Sequence, residues 1–138
     1  MSNNYHYAKH NVNPSEFHIQ DIIYNMNIIN IPKPYRYEVN SKILIMRKIP
    51  EMSISDMYGE KFSNIPDYII EQIRNIISTL YYHGIEYPDI TGYNFIEYQN
   101  KIWIIDFEHA SYNSKRYTYD PFILKFINGE NDWNPNYK

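Results

Sequence analysis

Asp89, Asn94 and Asp106 are the residues of this 138-residue chain whose types and spacing best suit chemistry. Asp89 and Asn94 stand five positions apart in Tyr87-Pro88-Asp89-Ile90-Thr91-Gly92-Tyr93-Asn94, and Asp106 sits between the apolar pair Ile104-Ile105 and Phe107-Glu108. One carboxylate can orient an attacking hydroxyl oxygen. An amide oxygen and a second carboxylate are hard donors suited to Mg²⁺ carried on phosphates. The set meets the demands of phosphoryl transfer to a hydroxyl. Taken alone, an Asp and an Asn at this spacing are common, and such loop residues more often cap helices or close turns. The elements around them therefore carry the argument.

The segment before Asp89 predicts a long helix after Asn64, with Pro66 in its first turn, Ile69, Ile70, Ile73, Ile76, Ile77 and Leu80 on one stripe, and Gly84 to end it. So apolar a stripe packs centrally, and the helix delivers the chain into the loop that holds Asp89 and Asn94. Phe95 to Tyr98 and Lys101 to Ile105 then predict a hairpin about Gln99-Asn100, which folds Asp106 back toward Asp89. Upstream, Ser15 to Met26 has helical spacing, Pro32-Lys33-Pro34 breaks it, and Tyr35–Val39 and Lys42–Met46 read as two strands about Asn40-Ser41. A short helix starts at Ser53 or Ser55. Another runs from Pro121 to Ile127, and a surface strap follows, anchored by Trp133.

This order of elements resembles the protein kinase superfamily from its first large helix onward. Asp89-Ile90-Thr91-Gly92-Tyr93-Asn94 resembles the catalytic loop of the atypical RIO-type kinases. Asp106-Phe107-Glu108, with Ser111-Tyr112-Asn113 and Tyr119-Asp120 beyond it, is similar to choline and aminoglycoside kinases. The resemblance implies an α+β, minimal protein-kinase-like fold, with a reduced N-terminal lobe built on a β-hairpin and a helical C-terminal lobe that carries the catalytic-loop hairpin. It implies ATP and Mg²⁺ as cofactors, Asp89 as the base, and Asn94 and Asp106 as metal ligands. Ile43 to Ile49 becomes the strand leading into the adenine-binding hinge, so Met46, Arg47, Lys48 and Ile49 line the nucleotide pocket and Met46 limits its depth. The acceptor is a protein or a small hydroxyl compound.

Two parts of the kinase pattern are weak here. The four glycines are Gly59, Gly84, Gly92 and Gly129, so no glycine-rich phosphate loop precedes the first helix. The only candidates for the strand lysine and helix glutamate that hold the phosphates are Lys9 and Glu16. Lys9 fits the Ala-x-Lys pattern poorly, and a solvated lysine in a flexible segment 1–14 is the stronger reading of it. These gaps keep a second function open, a catalytically weak pseudokinase acting as a protein-interaction module.

Other chemistries fit less well. His6 and His10 stand four apart and would face a metal only on a helix. Asp89, Asp106, Glu108 and His109 form a metal-hydrolase set only if the fold gathers them. The net charge of −3 and a pI near 5.9 argue against a nucleic-acid partner, although sixteen tyrosines offer rings for stacking. No apolar run suits a membrane span and no cysteine supplies a disulfide, which points to a cytoplasmic protein of one domain, residues 1–138. An exposed apolar face on the first hairpin would call for a homodimer or a protein partner.

Overall fold

The computed structural model describes residues 5–113 and 120–137. Its central element is helix α3, Asp67–Tyr82, in which Ile69, Ile70, Ile73, Ile77 and Leu80 of the expected stripe are buried, while Ile76 is half-buried at its edge and Tyr81 joins the buried face. A residue every three or four positions faces the same way along a helix, so this spacing gives a continuous apolar ridge. Around the ridge gather Ile19 and Ile23 of α1 (Pro14–Met26), Phe95, Ile102 and Ile104 of the second hairpin, Phe107, Ile123 and Phe126 of α4 (Pro121–Ile127), and Trp133. Pro66 stands at the helix cap rather than inside the first turn, and Gly84, at φ +81, turns the chain out of it. Among the described residues no helix is long and apolar enough to cross a membrane.

The N-terminal part differs from the sequence expectation. His6–Lys9, taken above as part of a flexible terminal segment, forms strand β1. It pairs antiparallel with β3 (Ile43–Arg47), which also pairs with β2 (Pro34–Glu38), so the hairpin becomes a three-stranded sheet in the order β1-β3-β2. Its register sets Lys9 opposite Leu44 and Tyr7 opposite Met46. A four-residue, largely exposed strand has too few apolar positions to announce itself, and the ladder to a strand some forty residues away supplies what its own sequence lacks. His6 in this strand packs edge-on against Tyr35, at 4.8 Å between ring centroids, so the helical spacing that a His6–His10 metal pair needs does not form.

The bare hairpin face expected above is also covered. Leu44 and Met46 are buried with Val12, and Phe17 of α1 and Tyr37 close over them, their rings stacked at 5.4 Å.

After the connector come α2 (Ile54–Tyr58) and α3, then the short strand β4 (Ile85–Glu86), which pairs with β7 (Ser111–Tyr112). Between them, β5 (Phe95–Tyr98) and β6 (Lys101–Ile104) form the second hairpin, with Phe95 opposite Ile104 and Ile96 opposite Trp103. Gln99 and Asn100, at φ +55 and +61, make the tight two-residue turn that matches strand twist. Tyr119, part of the sequence resemblance, lies outside the described residues.

Strand alternation places Trp103 on the face opposite Ile102 and Ile104. Those two isoleucines enter the main core, whereas Trp103 packs on Ile49 and Ile96, with the Arg47 guanidinium 5.1 Å from its ring. It thus covers the hinge side of the hairpin. Trp103 is only 8% exposed and its Nε1 donates to Tyr98 O at 3.2 Å. Trp103→Ala is expected to cost about 3 kcal/mol or more, read from denaturant unfolding; a loss below about 1 kcal/mol would show that the ring is not part of the packed structure.

Candidate active site

The loop after β4 is held from several sides. Tyr87, fully buried, is bonded at both ends: its N–H donates to the Tyr81 hydroxyl at 3.1 Å, and its hydroxyl proton is shared between Ile105 O at 2.6 Å and Asp106 O at 2.8 Å. Burial, with the charges of Asp106 and Asp89 nearby, pushes the Tyr87 phenol well above its ordinary pKa, so it stays a donor. This bond steadies Asp106, whose φ of +64 is a left-handed conformation that Asp tolerates better than most residues. Asp106 Oδ1 in turn accepts from the Glu108 N–H at 3.2 Å.

The second tie runs through Asn94, in the single tight turn Gly92–Asn94. Its Nδ2 donates to Asp89 O at 3.0 Å, and Ile105 N–H donates to Asn94 O at 2.9 Å. The two acidic loops are therefore stitched together by backbone and amide. A Cβ at Gly92 would lie 2.1 Å from Ser55 Oγ and 3.0 Å from the Trp133 ring, so only glycine lets this turn press against α2 and the strap. Behind it, Asn134 bonds both carbonyls that flank Asp89: its backbone N–H donates to Ile90 O and its Nδ2 to Pro88 O, each at 2.9 Å.

Asp89 itself is 5% exposed. His109 Nδ1 lies 2.7 Å from Oδ2, while Oδ1 is buried without a hydrogen-bond partner. Burial raises the Asp89 pKa against the pull of His109, and the hydrogen bond to Asp89 raises that of His109.

Lys9 joins the two halves of the molecule. Its Nζ lies 2.5 Å from Glu16 Oε2 and 3.2 Å from Asp106 Oδ1. Glu16 is 4% exposed, and burial raises its pKa although Lys9 favours its charge. Burial pulls Lys9 down, but the Glu16 hydrogen bond and the Asp106 charge outweigh it and its pKa ends above the ordinary value. The solvated terminal lysine of the sequence reading is thus a half-buried cation held between a helix carboxylate and a loop carboxylate.

Between sheet and hairpin opens a cleft of about 490 Å³. Lys9, Met46, Arg47, Lys48 and Ile49 line it together with Asn94 and Asp106, so the structure gathers these candidates on one cavity; Asp89 is not part of that lining. Its apolar walls come from Met46, Ile49, Ile96 and Ile105. The donor chemistry of its lining fits a hard divalent cation: the Asn94 amide is fixed through its nitrogen, leaving its oxygen as a donor atom, and the Asp106 carboxylate lines the same cavity. Among the described residues no group of three or more His, Cys, Asp or Glu side chains is placed to hold a metal, so Asp89, Asp106, Glu108 and His109, though His109 bonds Asp89, do not make the hydrolase set.

The ties made by His109, Tyr87 and Asn134 had no readable signal in the sequence. His109 is 20 positions from the residue it holds and Asn134 is 46 positions from Pro88.

A small strand sheet over a helical part, with a cleft between them and paired Asp and Asn loops on its floor, defines a protein kinase-like domain. A family model for the RIO domain matches residues 2–119, and the chain belongs to that family, an atypical branch of the protein kinase-like superfamily. It is 29% identical over 106 residues to the EKC/KEOPS complex subunit BUD32 of Enterocytozoon bieneusi (strain H348), a match that covers 69% of this chain and 52% of that protein. The fold is similar to that of the Cydia pomonella granulovirus kinase PK-1, with a TM-score of 0.52 and 16% identity over 83% of this chain and 46% of that one. The chain spans about half the length of each.

Proposed function

We propose that the chain is a Mg-ATP-dependent phosphotransferase of the atypical Ser/Thr protein kinase or small-hydroxyl kinase type. The observation that carries this reading is Lys9, bridging buried Glu16 and Asp106 on the wall of a cleft that Asn94 also lines. A cation so placed suits the phosphates of a nucleoside triphosphate, and the Met46, Ile49, Ile96 and Ile105 walls suit its base. Arg47 and Lys48 extend the hinge side of the same cleft. Asn94 and Asp106 would hold Mg²⁺, which when bound neutralises charge on the phosphates. Asp89 Oδ1, buried and unpartnered, takes the hydrogen of an acceptor hydroxyl. The acceptor oxygen then bonds to the γ-phosphorus, the bond from that phosphorus to the bridging oxygen breaks, and the nucleoside diphosphate leaves with the electron pair.

A second reading is a catalytically weak pseudokinase acting as a protein-interaction module. The relative from Enterocytozoon bieneusi is by name a subunit of a complex, which supports a protein partner for this chain as well, in the cytoplasm that its cysteine-free composition suits.

Thermal unfolding with and without Mg-ATP tests the first reading. Ligand at 100 times its dissociation constant stabilises by about 2.7 kcal/mol, which for a domain of this size raises Tm by roughly 5–10 °C. No shift at millimolar Mg-ATP would refute nucleotide binding and leave the interaction module.

A further inference from the structure

Asp89 is held in an unequal way. Its backbone is bracketed by Asn134, which bonds the carbonyls of Pro88 and Ile90 on either side of it. Its side chain has one hydrogen bond, from His109 Nδ1 to Oδ2 at 2.7 Å, and its other oxygen is buried without a partner. Each donor already bound to a carboxylate oxygen takes up one of its lone pairs and weakens it as an acceptor, and a carboxylate with neither oxygen bonded is free to rotate about its terminal torsion. A single strong donor on Oδ2 avoids both faults: it fixes the plane of the group and leaves Oδ1 as the one acceptor. The donor is also placed where the fold controls it. His109 follows Phe107, fully buried in the main core, and its ring lies 5.4 Å from that of Tyr137, on the strap whose Asn134 brackets Asp89.

We propose that His109 is the positioning residue for Asp89, aiming Oδ1 at the acceptor hydroxyl through the Nδ1–Oδ2 hydrogen bond. The inference rests on the phosphotransferase reading above and deepens it. The imidazole forms no bond to the acceptor and takes no proton in the transfer; it acts only through the carboxylate. Because Oδ2 of an ionised Asp89 can only accept, Nδ1 must carry the proton. The remaining ring nitrogen, Nε2, is 3.9 Å from Glu108 Oε2 on the half-exposed side of the ring.

Two substitutions separate a positioning role from a structural one. His109→Asn puts an amide N–H near the place of Nδ1, whereas His109→Leu keeps bulk and removes the donor. The readout is release of inorganic phosphate from Mg-ATP with water as acceptor, in the full chain, alongside long-range ¹H–¹⁵N spectra of the histidine rings. His109→Leu is expected to lower kcat at least about tenfold with KM for ATP unchanged, and His109→Asn to restore it to within about threefold of the parent. The spectra are expected to show an Nδ1-protonated ring whose signals shift in Asp89→Asn. Equal kcat in the Leu and Asn variants, or a His109 ring whose signals ignore Asp89→Asn, would overturn the positioning role alone. A parent chain that releases no phosphate while its His109 signals do respond to Asp89→Asn would instead sink the phosphotransferase reading, and the positioning role with it.

Discussion

Lys9→Met is expected to abolish Mg-ATP binding measured by thermal shift or calorimetry, and to destabilise the fold by about 3 kcal/mol or more. Both effects come from one ammonium. Glu16 is nearly inaccessible to water and Lys9 is its ion-pair partner, so the substitution leaves a buried carboxylate unpaired. Removing one member of such a pair costs more than removing both, because the survivor cannot be resolvated. The sign of the pH dependence follows. The folded pKa of Glu16 is already raised by burial, and without Lys9 it climbs further, so its charge is what the variant cannot bear. The stability deficit should therefore be large at neutral pH and shrink as pH falls through that elevated pKa, where the carboxyl becomes neutral in the fold. In the parent chain the contribution of Lys9, whose folded pKa is raised, is complete below its ordinary value and disappears only as pH rises through the folded one. The double variant Lys9→Met, Glu16→Gln separates stability from function. It is expected to recover most of the lost stability and none of the nucleotide binding; if it bound Mg-ATP like the parent, Lys9 would be a structural cation and the reading of the cleft would fail.

The helix α3 and the second hairpin were legible because their signals are local. Six apolar residues on one stripe and a two-residue turn at Gln99-Asn100 declare themselves within windows of sixteen and ten residues. The same locality made Asp89, Asn94 and Asp106 stand out, since a helix delivers the first two and a hairpin returns the third. Strand β1 was not legible. His6–Lys9 owes its conformation to the ladder with β3, and the placement of Lys9 depends on Asp106, 97 positions away. A polar strand at a sheet edge reads like a polar tail until its partner is known. The covered face of the first hairpin failed for a related reason: Phe17 and Val12 were seen as parts of a helix and a terminus, not as the lid over Leu44 and Met46. His109 shows the limit most plainly. Its type invited a metal reading, and only the fold reveals that it faces the carboxylate of Asp89 instead.

Asp89→Asn and Asp106→Asn are expected to fail in different ways, and the contrast bears on the whole site. Both exchanges keep size and shape. At Asp106 the left-handed backbone is one that Asn adopts readily, and an amide oxygen still accepts from the Glu108 N–H, so the turn survives. What is lost is a negative charge beside Lys9 and the carboxylate of the proposed Mg²⁺ pair. Mg-dependent nucleotide binding should therefore disappear, and turnover with it. The Asp89 carboxylate does not line the nucleotide cleft, and the amide oxygen can still accept from His109. The nucleotide dissociation constant should stay within about threefold of the parent while kcat falls by about 10² or more, the usual scale for loss of a positioned general base. Single-turnover measurements separate the fall in kcat from any change in binding. If both variants lost nucleotide binding equally, the two carboxylates would belong to one binding site and the separate role for Asp89 would fall. If Asp89→Asn kept full turnover, the buried oxygen opposite His109 would be a structural feature, and the acceptor would have to be activated from elsewhere in the cleft.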